Sequence, residues 1–299
     1  MDSRYFVGVA AAACFVAGCG GSGSGKSAGV IAFMRTEPPF TAADIVVMDA
    51  DGRAQTKLTD DVIASEPAWS SDGERIAFVQ ETEDNSEIYV MNADGSDQKQ
   101  LTSDSAPDQS PTWSPDGRRI AWTKNGEALF VINADGTHQS RLFAHPVPPG
   151  GVVPGSAVED PAWSPDGAMI AFGGNEIFVV HADGSNPRNL TKTDVGTADE
   201  NEPAWSPDGK RIVFVSDRGP GGDDIFVMNA DGTGQTNLTN SAPLDNSPAW
   251  SPDGKLILVV SAGEKGDSDR DVFVMNADGS GQRNLTKNPE WDDAPAWRP

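Results

Sequence analysis

Six tryptophans stand in one three-residue phrase, Pro-Ala-Trp or Pro-Thr-Trp, at Trp69, Trp113, Trp163, Trp205, Trp250 and Trp297. Their spacings are 44, 50, 42, 45 and 47 residues. A period of this size marks a chain built from stacked copies of one supersecondary unit. Two further markers follow at a steady lag. Asp-Gly pairs begin at Asp51, Asp94, Asp135, Asp183, Asp231 and Asp278, and Leu-Thr pairs at Leu58, Leu101, Leu190, Leu238 and Leu285. The third unit has Arg141-Leu142-Phe143 in place of the last marker.

Turn chemistry cuts each unit into four short strands. In SPDG, proline fits the second position of a type I turn and glycine the left-handed position of a bulged hairpin. In NADG, asparagine opens the turn and glycine closes it. The middle strands are apolar at consecutive positions, as in Ile225-Phe226-Val227-Met228. That pattern predicts sheets covered on both faces. The predicted fold is therefore all-β: a six-bladed β-propeller of four-stranded antiparallel blades. Each repeat tryptophan is expected to wedge between blades, with its indole N–H on a backbone acceptor. After Gly29 the chain supplies VIAFM, DIVVMD and TKLT, which read as strands two to four of a unit. The missing strand one is PAWRP, Pro295 to Pro299. The C-terminal strand is expected to pair with the N-terminal blade and leave no open edge.

The phrases PAWSPDG, IAF, IFVMNADG and NLT together resemble the PD40, or WD40-like, repeat of the TolB propeller family. The resemblance runs from Gly29 to Pro299 and concerns residues that build turns and blades, so it speaks for fold before chemistry. It implies an exported, non-enzymatic protein that binds protein partners, as TolB-type proteins bind a peptidoglycan-associated lipoprotein in the periplasm. It covers the propeller half of TolB, without the α/β domain that precedes it there. Other relatives fuse such a propeller to a serine hydrolase domain. Nothing follows the ring here, and that activity is not expected.

The first 28 residues read differently. Phe6 to Ala17 is apolar but too short to span a bilayer as a helix, and it fits the core of a secretory signal. Val16-Ala17-Gly18-Cys19 resembles a bacterial lipobox, which implies cleavage before Cys19 and lipidation of its thiol. Asp2 offsets Arg4, so the usual positive charge of such a leader is missing. Gly20 to Ala28 is a flexible tether with a reach of about 15–18 Å. The expected division is 1–18 signal peptide, 19–28 lipidated cysteine and tether, and 29–299 propeller. The two cysteines are Cys14 and Cys19, so the propeller carries no disulfide and no thiolate metal site.

A net charge of −23 argues against nucleic acid and against docking on anionic lipid by charge. It leaves room for a basic partner, and a monomer is expected. No metal-ligand spacing joins His138, His145 and His181, and no strained serine elbow is present. NADGSD at Asn92 to Asp97 has its glycine at the fourth position, not the sixth that an EF-hand loop requires. Asn189, Asn237 and Asn284 sit in NLT, which reads as repeat sequence rather than as a glycosylation signal. A polysaccharide lyase or other hydrolase would need His, Arg or Tyr clustered at the channel mouth, and the chain has three His and two Tyr.

Two surfaces remain. Variable loops on a rigid scaffold carry binding, and here these are the inter-blade loop Ala144–Asp160 and three acidic loops from neighbouring blades, Lys192–Glu202, Ser216–Asp224 and Ser261–Asp271. The three acidic loops are expected to form one acidic patch from Asp194, Asp199, Glu200, Asp223, Asp224, Asp267 and Asp269, with Trp291 as a further anchor for a partner. The second surface is the channel mouth. The residues before each PAW or PTW, namely Glu66, Ser110, Asp160, Glu202, Ser247 and Ala294, are expected to ring it. Glu66, Asp160, Glu202 and nearby Asp293 are candidate oxygen ligands for Ca²⁺. The leading expectation is a lipid-anchored scaffold for protein binding in the cell envelope. The alternative is a small ligand, glycan or cation at the mouth.

Overall fold

The computed structural model describes residues 29–37, 42–60, 62–82, 85–144, 157–193, 198–219, 222–240, 244–263 and 266–299, without the side chains of 263 and 266–269. The signal, Cys19 and the tether lie outside the described residues.

The chain opens with Val30–Thr36 (β1), Ala43–Asp49 (β2) and Thr56–Lys57 (β3). Ala64–Trp69 (β4), Arg75–Glu81 (β5), Ser86–Asn92 (β6) and Lys99–Gln100 (β7) then form a four-stranded sheet. Asp108–Trp113 (β8), Arg119–Lys124 (β9), Ala128–Asn133 (β10) and Ser140–Ala144 (β11) form the next. Glu159–Trp163 (β12), Met169–Gly173 (β13), Phe178–His181 (β14) and Arg188–Asn189 (β15) follow. After them come Glu200–Trp205 (β16), Arg211–Gly219 (β17), Gly222–Asn229 (β18) and Thr236–Asn237 (β19). The last unit contains Asn246–Trp250 (β20), Leu256–Gly263 (β21), Gly266–Asn276 (β22) and Arg283–Asn284 (β23). Within each unit, neighbours pair antiparallel in sequence order.

Trp291–Trp297 (β24) does not join its predecessors in that manner. It pairs antiparallel with β1, Ile31 opposite Trp297 and Thr36 opposite Trp291. Arg35 forks onto Asp292 across this pair, with N–O distances of 2.6 and 2.9 Å. One parallel pair, Arg270 opposite Trp291, fuses β20–β23 with β24, β1, β2 and β3 into an eight-stranded mixed sheet. This corrects the expectation of separate, purely antiparallel blades throughout. The cause is length: β22 runs 11 residues, and its overhang meets the start of β24.

The repeat phrases hold the sheets by recurring side-chain bonds. In the first turn after a tryptophan, Ser206 Oγ donates to Asp208, which accepts the N–H of Lys210, and Arg211 N–H donates back to Ser206 Oγ. The glycine of NADG has a second task besides its positive φ. A Cβ on Gly95 would lie 2.7 Å from the carbonyl oxygen of Leu58 in the preceding unit, so only glycine allows this approach. NLT is a clamp. Thr286 Oγ1 accepts the N–H of Val272 and donates to Asp271, while Asn284 Nδ2 donates to the same carboxylate. Thr239 and Asn237 treat Ile225 and Asp224 in the same way.

The core lies between repeat units. Among the described residues, six apolar clusters each join two repeat units adjacent in the series. One combines Ala77, Val79 and Ile88 with Trp113 and Ile120 of the next unit. Another combines Leu258, Val272 and Val274 of the last unit with Ile31, Phe33 and Met48 of the first. The tryptophans thus wedge between units as expected, but the expectation for their N–H groups fails. Among the described residues none of the six repeat indoles has a hydrogen-bond acceptor. The rings are placed by packing and not by their polar atom.

Candidate functional site

Each PAW or PTW is preceded by a residue in left-handed backbone. Glu66, Ser110, Asp160, Glu202, Ser247 and Ala294 have φ between 48° and 53°. Proline already restricts the residue before it, and a non-glycine residue at positive φ costs about 1–3 kcal/mol. The kink shifts the register of each first strand, as between Ser65 and Ala68 in β4. It also turns the residue before proline inward. All six line one cavity of about 390 Å³, together with Asp293, Met34 and the prolines that follow them. The expected ring of mouth residues is thus brought together.

The mouth is wired from unit to unit. Ser110 N–H donates to Glu66, Glu202 N–H to Asp160, and Ser247 N–H to Glu202. Ser110 Oγ donates to Asp160 at 2.8 Å, and Ser247 Oγ to Asp293 at 2.9 Å. Arg270 pairs with Asp293 at 2.8 Å. Burial pushes the Glu66 carboxyl up to about 7. Burial, then the Asp160 charge, pushes Glu202 up to about 8, and burial raises Asp160 as well. The ring is therefore partly protonated near neutrality and less negative than its formal charge. Among the described residues, no three acidic, cysteine or histidine side chains converge as metal ligands. Glu66, Asp160, Glu202 and Asp293 instead spend their oxygens on neighbouring N–H and hydroxyl groups.

The acidic loops divide. Asp199 is exposed and Asp223 half-buried. Glu200 and Asp224 are fully buried, which corrects their assignment to a contact surface. Glu200 faces Thr191, Arg218 and Ser216, and Asp224 belongs to the NLT clamp. Asp194 lies outside the described residues, as do the side chains of Asp267 and Asp269. Trp291 is 40% exposed, on β24 beside β1. Two further acids belong with Asp199 and Asp223. Exposed Asp217 has its carboxylate on the N–H of Asp199, and it raises the carboxyl of Asp223 after burial has done so. Glu159 is raised by burial, then by Asp160 and Asp199. The resulting rim is Glu159, Asp199, Asp217 and Asp223. Asp217 was within reach of sequence reasoning, since it follows Ser216 on a loop already singled out. So was Glu159, which lies in the variable loop Ala144–Asp160 directly before Asp160 of the mouth.

Comparisons with known proteins agree on the fold. The model of the TolB beta propeller domain (PD40) matches residues 30–146 and 151–299. The Protein TolB homolog of Chlorobaculum tepidum is 33% identical over 123 residues, 40% of this chain and 27% of that protein. The Tol-Pal system protein TolB of Alcanivorax borkumensis is 38% identical over 77 residues, 25% of this chain and 18% of that protein. The matched stretches therefore span less than a third of these relatives' own length. The solved structure of TolB from Acinetobacter baumannii superposes with a TM-score of 0.77 at 20% identity, covering 92% of this chain and 68% of that one. With the family model matched over nearly its whole length, the chain belongs to the TolB β-propeller domain family.

Proposed function

We propose that the chain is a closed six-bladed propeller that binds a protein partner in the cell envelope and catalyses no reaction. Six inter-unit clusters and the β24–β1 pair support the closed ring. The similarity to proteins named Tol-Pal system protein TolB supports an envelope partner. The rim of Glu159, Asp199, Asp217 and Asp223 is the observation that carries the choice of surface. Burial, then the charges of Asp217 and Asp199, raises Asp223, and burial, then Asp160 and Asp199, raises Glu159; a basic partner would relieve that repulsion. Attraction of this kind speeds encounter and weakens with salt. Lipidation at Cys19 would hold this surface close to a membrane.

Asp199→Lys with Asp217→Lys tests the surface, since both side chains are exposed and folding is expected to survive. Cross-linking in the native envelope is expected to recover a partner with the wild-type chain and to lose it with the double variant. Recovery of the same partner at the same yield across salt removes the rim from consideration. Cys19→Ser is expected to stop incorporation of labelled palmitate, and unchanged label in that variant overturns the anchor.

A further inference from the structure

Four repeat tryptophans carry an arginine on the face of the ring. Arg75 lies 4.5 Å from the Trp113 centroid, Arg119 4.7 Å from Trp163, Arg211 4.6 Å from Trp250 and Arg298 5.2 Å from Trp69. Three of these follow one rule. An arginine opens strand two, three residues after the turn aspartate, and reaches the tryptophan of the next unit. Asp72, Asp116 and Asp208 each feel that charge from Arg75, Arg119 and Arg211. Arg298 obeys the rule by substitution. In the first unit strand two opens with Val30, one residue before Ile31 opposite Trp297; it has no charge, and the residue after Trp297 supplies the guanidinium instead.

Two units break the rule. In β20–β23 strand two opens with Leu256 and the half-buried Trp297 has no arginine over it among the described residues, but there the turn aspartate Asp253 is already paired with Lys255 at 2.9 Å. The unit of β12–β15 has no such cation at its turn aspartate. Its strand two opens with Met169, and the next tryptophan, Trp205, has no arginine over it among the described residues. Trp205 is half-buried, whereas Trp113, Trp163 and Trp250 are 6–7% exposed. A groove of about 460 Å³ lies here, lined by Asp166, Met169, Trp205, Asp208 and two prolines. One unit on, where Arg211 is present, the corresponding groove measures about 310 Å³. Asp166 binds Ser164 Oγ and the N–H of Ala168 of its own turn, and among the described residues no cation faces it.

We propose that this groove receives an arginine side chain from a partner protein, its guanidinium stacked on Trp205 and paired with Asp166. The occupant is specified by the molecule itself, which fills four equivalent places with arginine. The chain's net charge of −23 favours the same occupant. A planar guanidinium stacks on an indole and forks onto a carboxylate, which a lysine ammonium does less well. The slot is on the turn side of the sheets, at the other end of strand one from the mouth, so it stands apart from the acidic rim.

The test uses a blocked Gly-Arg-Gly peptide and its lysine and citrulline counterparts, titrated into the protein. Indole N–H signals are followed by NMR, and Trp205→Phe assigns the signal of Trp205. The arginine peptide is expected to shift the Trp205 signal in a saturable way and to leave the other repeat indoles in place. The lysine and citrulline peptides are expected to bind about tenfold more weakly. Met169→Arg fills the slot from within and is expected to abolish the response while raising the melting temperature. Asp166→Asn keeps the shape of the turn and is expected to weaken the arginine peptide severalfold, which serves if Met169→Arg fails to fold. Citrulline binding as tightly as arginine, or either folded variant responding like the wild type, overturns the proposal.

Discussion

Glu66 and Glu202 show how one residue position sets the chemistry of the mouth. The strained backbone before proline points each carboxyl into the ring, and burial then raises it, to about 7 and about 8 from an ordinary 4.5. The folded chain keeps these protons over a range in which the unfolded chain has released them. The stability they contribute is full below pH 4.5 and is lost as pH rises through about 7 to 8. Glu66→Gln with Glu202→Gln is expected to flatten that decline and to add about 1–3 kcal/mol near pH 9. Urea midpoints of wild type and variant across this range measure it, and parallel declines would refute it. The mouth residues were legible in the sequence because each stands directly before a repeated phrase. The burial of Glu200 and Asp224 was not. Their partners, such as Arg218, Asn237 and Thr239, are 13 to 18 residues away and meet them only through strand pairing.

At the scale of the element, β24 has the strongest test. Its pairing with β1 adds the Arg35–Asp292 fork, the Trp297 ring in a cluster shared with Leu258 and Val272, and Arg298 over Trp69. Trp297→Ala is therefore expected to cost about 3–5 kcal/mol, close to the cost of Trp205→Ala where β12–β15 meets β16–β19. Guanidinium unfolding of the two variants decides, and an unchanged midpoint for Trp297→Ala would mean that β24 adds nothing. Strand order was readable from the turns, because Pro, Asn and Gly fix where the chain reverses. The bridge between Arg270 and Trp291 was not readable. It depends on how far two strands overrun their sheet, and neither residue announces that.

For the whole molecule, the acids tell against reading composition as surface. Among the described residues eight Asp and Glu are buried: Asp44, Glu87, Asp108, Glu200, Asp224, Asp245, Asp271 and Asp292. Part of the charge of −23 therefore clamps strands instead of facing solvent. Every described core cluster is shared by two repeat units, so a unit that unfolds strips its neighbours on both sides. Denaturant unfolding is expected to be one transition, with tryptophan fluorescence and backbone circular dichroism coinciding. Two resolved transitions would show that parts of the molecule unfold alone. The pairing of Ile31 with Trp297 also sets a clock. At roughly 5–20 residues per second of synthesis, β1 waits on the order of ten to fifty seconds for its partner strand. During that time its hydrogen-bonding edge is bare and open to pairing with a neighbouring nascent chain. Anything that shields that edge while the ribosome is still working protects the yield of the folded molecule, although it touches nothing in the finished one.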